Sequence, residues 1–290
     1  MKTDKKIKLL DFKLTKNLWA SLFWVYKSRF TGNWMDFVKH KEYNHSDPIK
    51  NIDWKTAWKW DKIQSKVFED ERDLKVLFLI DISKSMGFWF TKKTKKDLLE
   101  EIFYSIALSA SLGWDSIGAL LYSWEKKIFL DYEKWFSNIF RVINELNNKN
   151  TFSENNKNKT NEALNYLQKR NIKNNLIFIL TDDTDILENR NLKLLSITNE
   201  IIFFNIFDYF ENNLTNANST ITLQNWDNFL NISLNDFNKI EKYKNIRQEK
   251  INLLDNYLKR NKISYKAFDT DSDTFRQLYL FFSKERVKVL

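Results

Sequence analysis

The sequence predicts an α/β protein: a doubly wound, mostly parallel sheet with helices on both faces. Two short, wholly apolar runs, Val76 to Ile80 and Leu176 to Leu180, have the length and the β-branched and aromatic content of strands buried on both sides. Each leads toward a segment in which apolar residues recur at the helical period. The alternation of such strands with helices of about ten residues or more argues a parallel sheet rather than a sandwich.

Residues 1–73 are mixed and highly charged, with no long stretch of helical periodicity, and are read as a small N-terminal subdomain packed on a core of residues 74–290. Leu74 to Asp81 is the first buried strand. From Lys93 to Leu112, Leu98, Leu99, Ile102, Phe103, Ile106 and Leu108 mark a helix. Ser116 to Tyr122 is strand-like, and Lys127 to Leu130 is placed to pair with it as a hairpin. Tyr132 to Leu146 reads as a helix on Phe136, Ile139, Phe140, Ile143 and Leu146. The polar, Asn-rich stretch up to Thr160 cannot pack and reads as a loop. Asn161 to Arg170 is a short helix, and Asn175 to Leu180 is the second buried strand, ending on Thr181, Asp182 and Asp183. Ile186 to Ser196 is helical, Glu200 to Phe207 is a third apolar strand, and Thr220 to Leu234 suggests a hairpin. Asn235 to Asn261 is a long amphipathic helix, and Lys262 to Asp269 and Thr274 to Arg286 supply a last strand and helix.

Composition narrows the function classes. The chain of 290 residues is 43% hydrophobic and 16% aromatic, enough to bury a core despite its many Asn and Lys. Its net charge of +9 favours acidic partners or membrane surfaces but is spread too evenly to name one. The absence of Cys excludes a disulfide framework, thiol catalysis and thiolate metal sites. No apolar run approaches the roughly 18 residues of a membrane helix, and the first residues lack the apolar core of a secretory signal. The expectation is a soluble, cytoplasmic protein.

In open α/β sheets the functional crevice lies outside the carboxyl ends of the strands. There the first strand runs into Asp81-Ile82-Ser83-Lys84-Ser85, a carboxylate and two hydroxyls at alternate positions of a tight loop. Hard oxygen ligands converging in this way suit Mg²⁺ or Mn²⁺ and no soft metal. Alone, the D-x-S-x-S pattern could equally cap a helix. A second carboxylate, Asp182, ends another buried strand, and Thr160 stands ahead of the helix between them, so three loops supply oxygen ligands to one edge of the sheet.

This arrangement resembles the metal-ion-dependent adhesion site of von Willebrand factor A domains. The resemblance implies Asp81, Ser83, Ser85, Thr160 and Asp182 as cation ligands, with an open position that takes an acidic residue of a partner. A narrower likeness covers residues 20–290. Phe37-Val-Lys-His-Lys-Glu-Tyr43, Ser46-Asp-Pro48, Asn51-Ile-Asp-Trp54 and Phe68-Glu-Asp-Glu-Arg72 precede the D-x-S-x-S-M run, and Phe268-Asp-Thr-Asp-Ser-Asp273 closes it. This looks like the bacterial domain-of-unknown-function 58 family. That resemblance implies a non-catalytic, cation-dependent protein-interaction module working with a MoxR-type AAA+ ATPase in assembling or remodelling other proteins.

Departures from the family pattern concentrate at tryptophan. Trp24, Trp34, Trp89, Trp114 and Trp124 stand where the pattern shows Gly or another small residue, and Trp226 falls where a hairpin turn favours Gly. The chain has 4 Gly and 11 Trp, against about twenty Gly at ordinary usage. Both anomalies follow if UGA means glycine in the gene but has been read as tryptophan. The contrary reading is a lineage genuinely rich in Trp.

Two other function classes compete. A metal with Asp182 and Asp183 could support phosphoryl-transfer or hydrolytic chemistry. However, hydroxyls rather than a carboxylate nucleophile fill the loop after Asp81, neither His40 nor His45 lies near the site, and no phosphate-binding Gly loop or Ser-His-Asp set is present. Trp54, Trp58 and Trp60 among lysines could stack nucleic-acid bases, but a structural segment accounts for them as well.

Overall fold

The computed structural model describes residues 21–23, 25–26, 37–42, 64–68, 74–87, 93–148, 160–186, 189–214, 220–225, 228–233 and 236–284. In chain order the elements are β1 (Phe37–Glu42), β2 (Gln64–Phe68), β3 (Lys75–Asp81), a 3₁₀ turn (Lys84–Gly87) and α1 (Lys95–Leu112). Then come β4 (Ser116–Tyr122), β5 (Lys127–Glu133), α2 (Ser137–Asn147), α3 (Thr160–Lys169), β6 (Asn175–Thr181) and α4 (Arg190–Thr198). The chain continues through β7 (Glu200–Phe207), the short α5 (Tyr209–Asn212), β8 (Thr220–Asn225), β9 (Asn228–Ser233), α6 (Phe237–Arg260), β10 (Ser264–Asp269) and α7 (Thr274–Lys284).

Six strands form one sheet in the order β10-β7-β6-β3-β4-β5. Five run parallel, and β5 is an antiparallel edge that turns back from β4 through residues 123–126. The chain enters at the central β3, builds outward to β4 and β5, then crosses back to β6 on the other side. β3 is therefore flanked by two strands reached in opposite directions, the topology that opens a crevice at the strand ends. Two further hairpins, β1 with β2 and β8 with β9, are antiparallel and separate from this sheet.

Side-chain alternation along β3 shows why helices must cover both faces. Val76, Phe78 and Ile80 join one apolar cluster, which α1, α2 and α7 supply with residues such as Ile102, Val142 and Phe282. Leu77 and Leu79 join the other, which α3, α4 and α6 supply with Leu164, Leu192 and Leu258. Leu22, Val25 and Tyr26 are buried in the first cluster, and Tyr26 donates its hydroxyl hydrogen to Asp115 at 3.1 Å. Among the described residues no helix is long and apolar enough to cross a membrane.

The expected strands and helices largely coincide with these elements; three differences are informative. The helix expected from Tyr132 starts instead at Ser137, because β5 runs on to Glu133 and the chain breaks at Trp135, whose φ is 67°. The helix expected from Ile186 begins at Arg190, capped by Asn189, whose side chain accepts from Leu192 N–H at 2.9 Å. The hairpin of β1 and β2 falls in the charged segment where no regular element was expected. Residues 149–159, most of the expected Asn-rich loop, lie outside the described residues, as do Trp24, Trp34, Trp54, Trp58, Trp60, Trp89, Trp226 and His45.

Phe78 sits at the centre of the sheet, edge-on to Phe103 at 4.9 Å and stacked on Phe178 at 5.3 Å. Truncation there leaves a void that its buried neighbours fill only in part. Phe78→Ala is expected to cost about 3–5 kcal/mol, read from urea unfolding.

Candidate functional site

The carboxyl ends of β3 and β6 are adjacent, in a parallel pair whose register matches Ile80 with Leu180. Both strands are buried on both faces up to their last residue, so the first polar side chains beyond them are held at the rim of the core. Asp81 and Ser83 are fully buried, and Thr160, at the start of α3, is 1% exposed.

A continuous run of hydrogen bonds links the two strand ends. Asp81 Oδ1 accepts from Ser83 N–H at 2.8 Å, an Asx turn that bends the chain off the strand. Its other oxygen, Oδ2, accepts from the Thr181 hydroxyl at 2.7 Å. Ser83 Oγ lies 2.9 Å from Ser85 Oγ, bringing both hydroxyls of the loop to one place. On the far side, Asp183 N–H donates to Thr181 Oγ1 at 3.0 Å, and the Thr160 hydroxyl donates to Asp183 Oδ2 at 3.0 Å. Tyr122, the last residue of β4, closes the run with its hydroxyl 3.0 Å from Thr160 Oγ1.

Four of the five residues singled out from the sequence, Asp81, Ser83, Ser85 and Thr160, therefore lie in this one network. Asp182 lies beside it and is turned the other way. It accepts from Lys95 Nζ at 3.1 Å, while its neighbour Asp183 is the carboxylate that meets Thr160. Successive residues leaving a strand point to opposite sides, so Asp183 faces α3 and Asp182 faces α1. Lys95 also pairs with Glu211, and Glu211 with Arg247 at 2.6 Å, extending a buried chain of charges from the site to α5 and α6.

The electrostatics follow from this crowding. Burial first, and then the negative charge of Asp182, push the Asp81 carboxyl up to about 7, against the opposing pull of its hydrogen bonds from Thr181 and Ser83. Burial pushes Asp183 up to about 6, although Asp185 N–H and Thr160 donate to it. Tyr122 is raised well above its ordinary value by burial and by the charge of Asp81. Burial alone would lower Lys95, but Glu211 and then Asp182 hold it above the usual ammonium range.

Sequence reading placed Asp183 only in the alternative, phosphoryl-transfer site, and missed Thr181, Tyr122, and the Lys95, Glu211 and Arg247 chain. Thr181 and Asp183 carried a signal, standing on either side of Asp182 at a strand end. Lys95 carried none, since its partners lie far along the chain. No group of three or more Asp, Glu or His among the described residues is placed to hold a metal. The donor set at this site is instead hydroxyl-rich, with carboxylates on two strand ends.

Fold and site together define an α/β protein with a buried carboxylate and hydroxyl network at the carboxyl ends of its central strands. Residues 39–248 match the family described as Protein of unknown function DUF58, and the chain belongs to that family. No curated protein matches it. Among solved structures it is similar to the conserved hypothetical protein BatB from Bacteroides thetaiotaomicron, at 13% identity and a TM-score of 0.47, over 74% of this chain and 99% of that one. It is also similar to an uncharacterized membrane spanning protein from Vibrio fischeri, at 11% identity and a TM-score of 0.28, over 73% and 98% of the two chains.

A carboxyl raised by burial stabilises the fold in its protonated form. That contribution is full below the unfolded value near 4 and is lost as pH rises through about 7. Asp81→Asn removes the titration. In EDTA, the melting temperature of the variant relative to the parent is expected to climb between pH 5 and pH 8, by about 2 °C or more.

Proposed function

We propose that this protein is a non-catalytic interaction module of von Willebrand factor A type, whose site holds Mg²⁺ or Mn²⁺ to capture a carboxylate of a partner protein. The observation that carries this reading is the unbroken run from Ser85 through Ser83, Asp81, Thr181 and Asp183 to Thr160, joining two adjacent strand ends. Hydroxyl and carboxylate oxygens are the donors a hard cation takes. Two carboxyls held above their ordinary values by burial are groups that a positive charge would relieve.

The residues fit such a cation. Asp81, Ser83, Ser85 and Thr160 would hold it, with Asp182 or Asp183 completing the set according to which turns inward. The cation would supply a coordination position open to an acidic side chain. Asp81 is held in place by the Thr181 hydroxyl and is fully buried. The sheet order with its antiparallel edge strand supports the von Willebrand factor A reading of the fold.

The family likeness drawn from the sequence makes a MoxR-type AAA+ ATPase the partner to test, with remodelling of other proteins as the shared task in the cytoplasm. Hydroxyls rather than a nucleophilic carboxylate in the loop after Asp81 favour binding over catalysis.

Thermal unfolding in EDTA and then in millimolar Mg²⁺ or Mn²⁺ tests the site. The parent protein is expected to gain about 2–4 °C or more, and Asp81→Ala to gain nothing while keeping its fold. In a pull-down, Mg²⁺-dependent recovery of the ATPase should vanish with the same variant. Equal recovery with parent and variant would end the adhesion-site mechanism.

A further inference from the structure

We propose that Lys95 is a tethered counter-ion that competes with the divalent cation for Asp182 and so sets the affinity of the site; this rests on the cation reading above. Lys95 is the first residue of α1, fixed by the capping box of Thr94 and Asp97. Its side chain is 6% exposed and its ammonium is shared between Asp182, at 3.1 Å, and Glu211. Glu211 is in turn held by Arg247 of α6, whose Nε also donates to Asn212 at 2.5 Å.

A divalent ion beside Asp182 meets a buried positive charge a few ångströms away, where repulsion is poorly screened. Binding therefore requires Lys95 to give up Asp182 while keeping Glu211. Glu211 is the acceptor that makes this release available, and it ties occupancy of the site to α5 and α6. The two residues act in opposite directions on one equilibrium.

Mn²⁺ titration by calorimetry on the full chain separates the outcomes. Lys95→Met is expected to tighten Mn²⁺ binding by about tenfold, and Glu211→Gln, which leaves the ammonium to Asp182, to weaken it by a similar factor. Unchanged affinity in both variants, or weaker binding in Lys95→Met, would overturn the role of Lys95 while leaving the cation site standing. Absence of Mn²⁺ binding in the parent and in both variants would overturn the cation reading and this inference with it.

A second inference comes from the backbone. The geometry points to glycine, decoded from UGA, at positions 114 and 135 of the natural protein. The described residues outside glycine with positive φ are Trp114 and Trp135, both at 67°, with Asn171, Asn174 and Lys262. Asn adopts this conformation readily, whereas a bulky side chain there is an outlier. No described glycine has positive φ, so the two usages are inverted.

Trp114 occupies a defined position. After the C-cap Gly113, Trp114 N–H donates to Ser111 O at 3.1 Å and Asp115 N–H to Ala110 O at 3.1 Å. This is the Schellman pattern, and Trp114 is its left-handed residue, the place where helices use glycine most. The same pattern closes α6 at Lys262, whose unbranched chain reaches freely into water. Trp135 breaks the chain between β5 and α2, the position at which sequence periodicity ran a helix straight through. The indoles of Trp114 and Trp135 are 59% and 57% exposed, and their rings touch each other at 4.6 Å. Trp124 is also exposed, but its φ is ordinary, so the backbone does not demand glycine there.

The gene sequence and peptide masses of the protein purified from its own cells decide this. UGA at positions 114 and 135, with peptides of the mass that glycine gives, is the expected result. UGG at both positions, or peptides with the mass of tryptophan, would overturn it.

Discussion

The structure depends on one constraint: β3 is apolar on both faces from Val76 to Ile80 and yet ends on a fully buried carboxylate, Asp81. A strand in the middle of a parallel sheet has its backbone groups paired on both sides, by β4 and β6. Nothing along its length competes for polar partners, so the demand falls on its end. Asp81 meets it by turning the chain with Ser83 N–H and by taking the Thr181 hydroxyl from the neighbouring strand. A buried polar group is costly unless hydrogen-bonded, and these two bonds fix the relative placement of two loops. Site geometry is thus a consequence of how the core strand is terminated.

The same constraint explains why charge gathers there. Asp182 and Asp183 follow β6 directly, and both lie at the edge of a low-dielectric core. Their separation onto opposite sides is what keeps three carboxylates in one small volume tolerable. Asp182 is answered by Lys95, and Asp183 by neutral donors. One carboxylate is thus paired to an ammonium and two others are raised by burial. The ammonium and its second acceptor, Lys95 and Glu211, come from α1 and α5, remote from the loop in sequence.

Much of this was legible in the sequence. The central strands were plain because strands buried on both faces read as uninterrupted apolar runs, as Val76 to Ile80 and Leu176 to Leu180 do. That Asp81, Ser83, Ser85 and Thr160 come together was legible because they stand at a strand end and at the helix start after the loop. Which of Asp182 and Asp183 faces Thr160 was not, since a one-residue difference in twist at the strand end decides it. The β1 and β2 hairpin escaped because Val38-Lys-His-Lys-Glu42 has little apolar content to alternate. Lys95 escaped because its meaning lies in Glu211, a contact between distant segments.

The misplaced start of α2 is of a different kind. Apolar periodicity from Phe136 through Ile139, Ile143 and Leu146 is genuine, and α2 uses it. Extending it back to Tyr132 required Trp135 to be an ordinary helical residue, and an indole gives no reason to stop there. A glycine would have given one, because it marks a chain break and permits the left-handed conformation observed. Local preference and fold disagree at Trp135 and Trp114 and agree elsewhere along α1, β4, β5 and α2. In natural sequences such conflicts gather at functional sites, yet these two positions lie at the amino end of β4 and just past the carboxyl end of the antiparallel β5. Those two points adjoin each other at the edge of the sheet remote from Asp81, because the bond register pairs Ile117 with Glu133. A conflict that recurs at one residue type, away from the network at Asp81, is what the glycine reading of these two positions predicts.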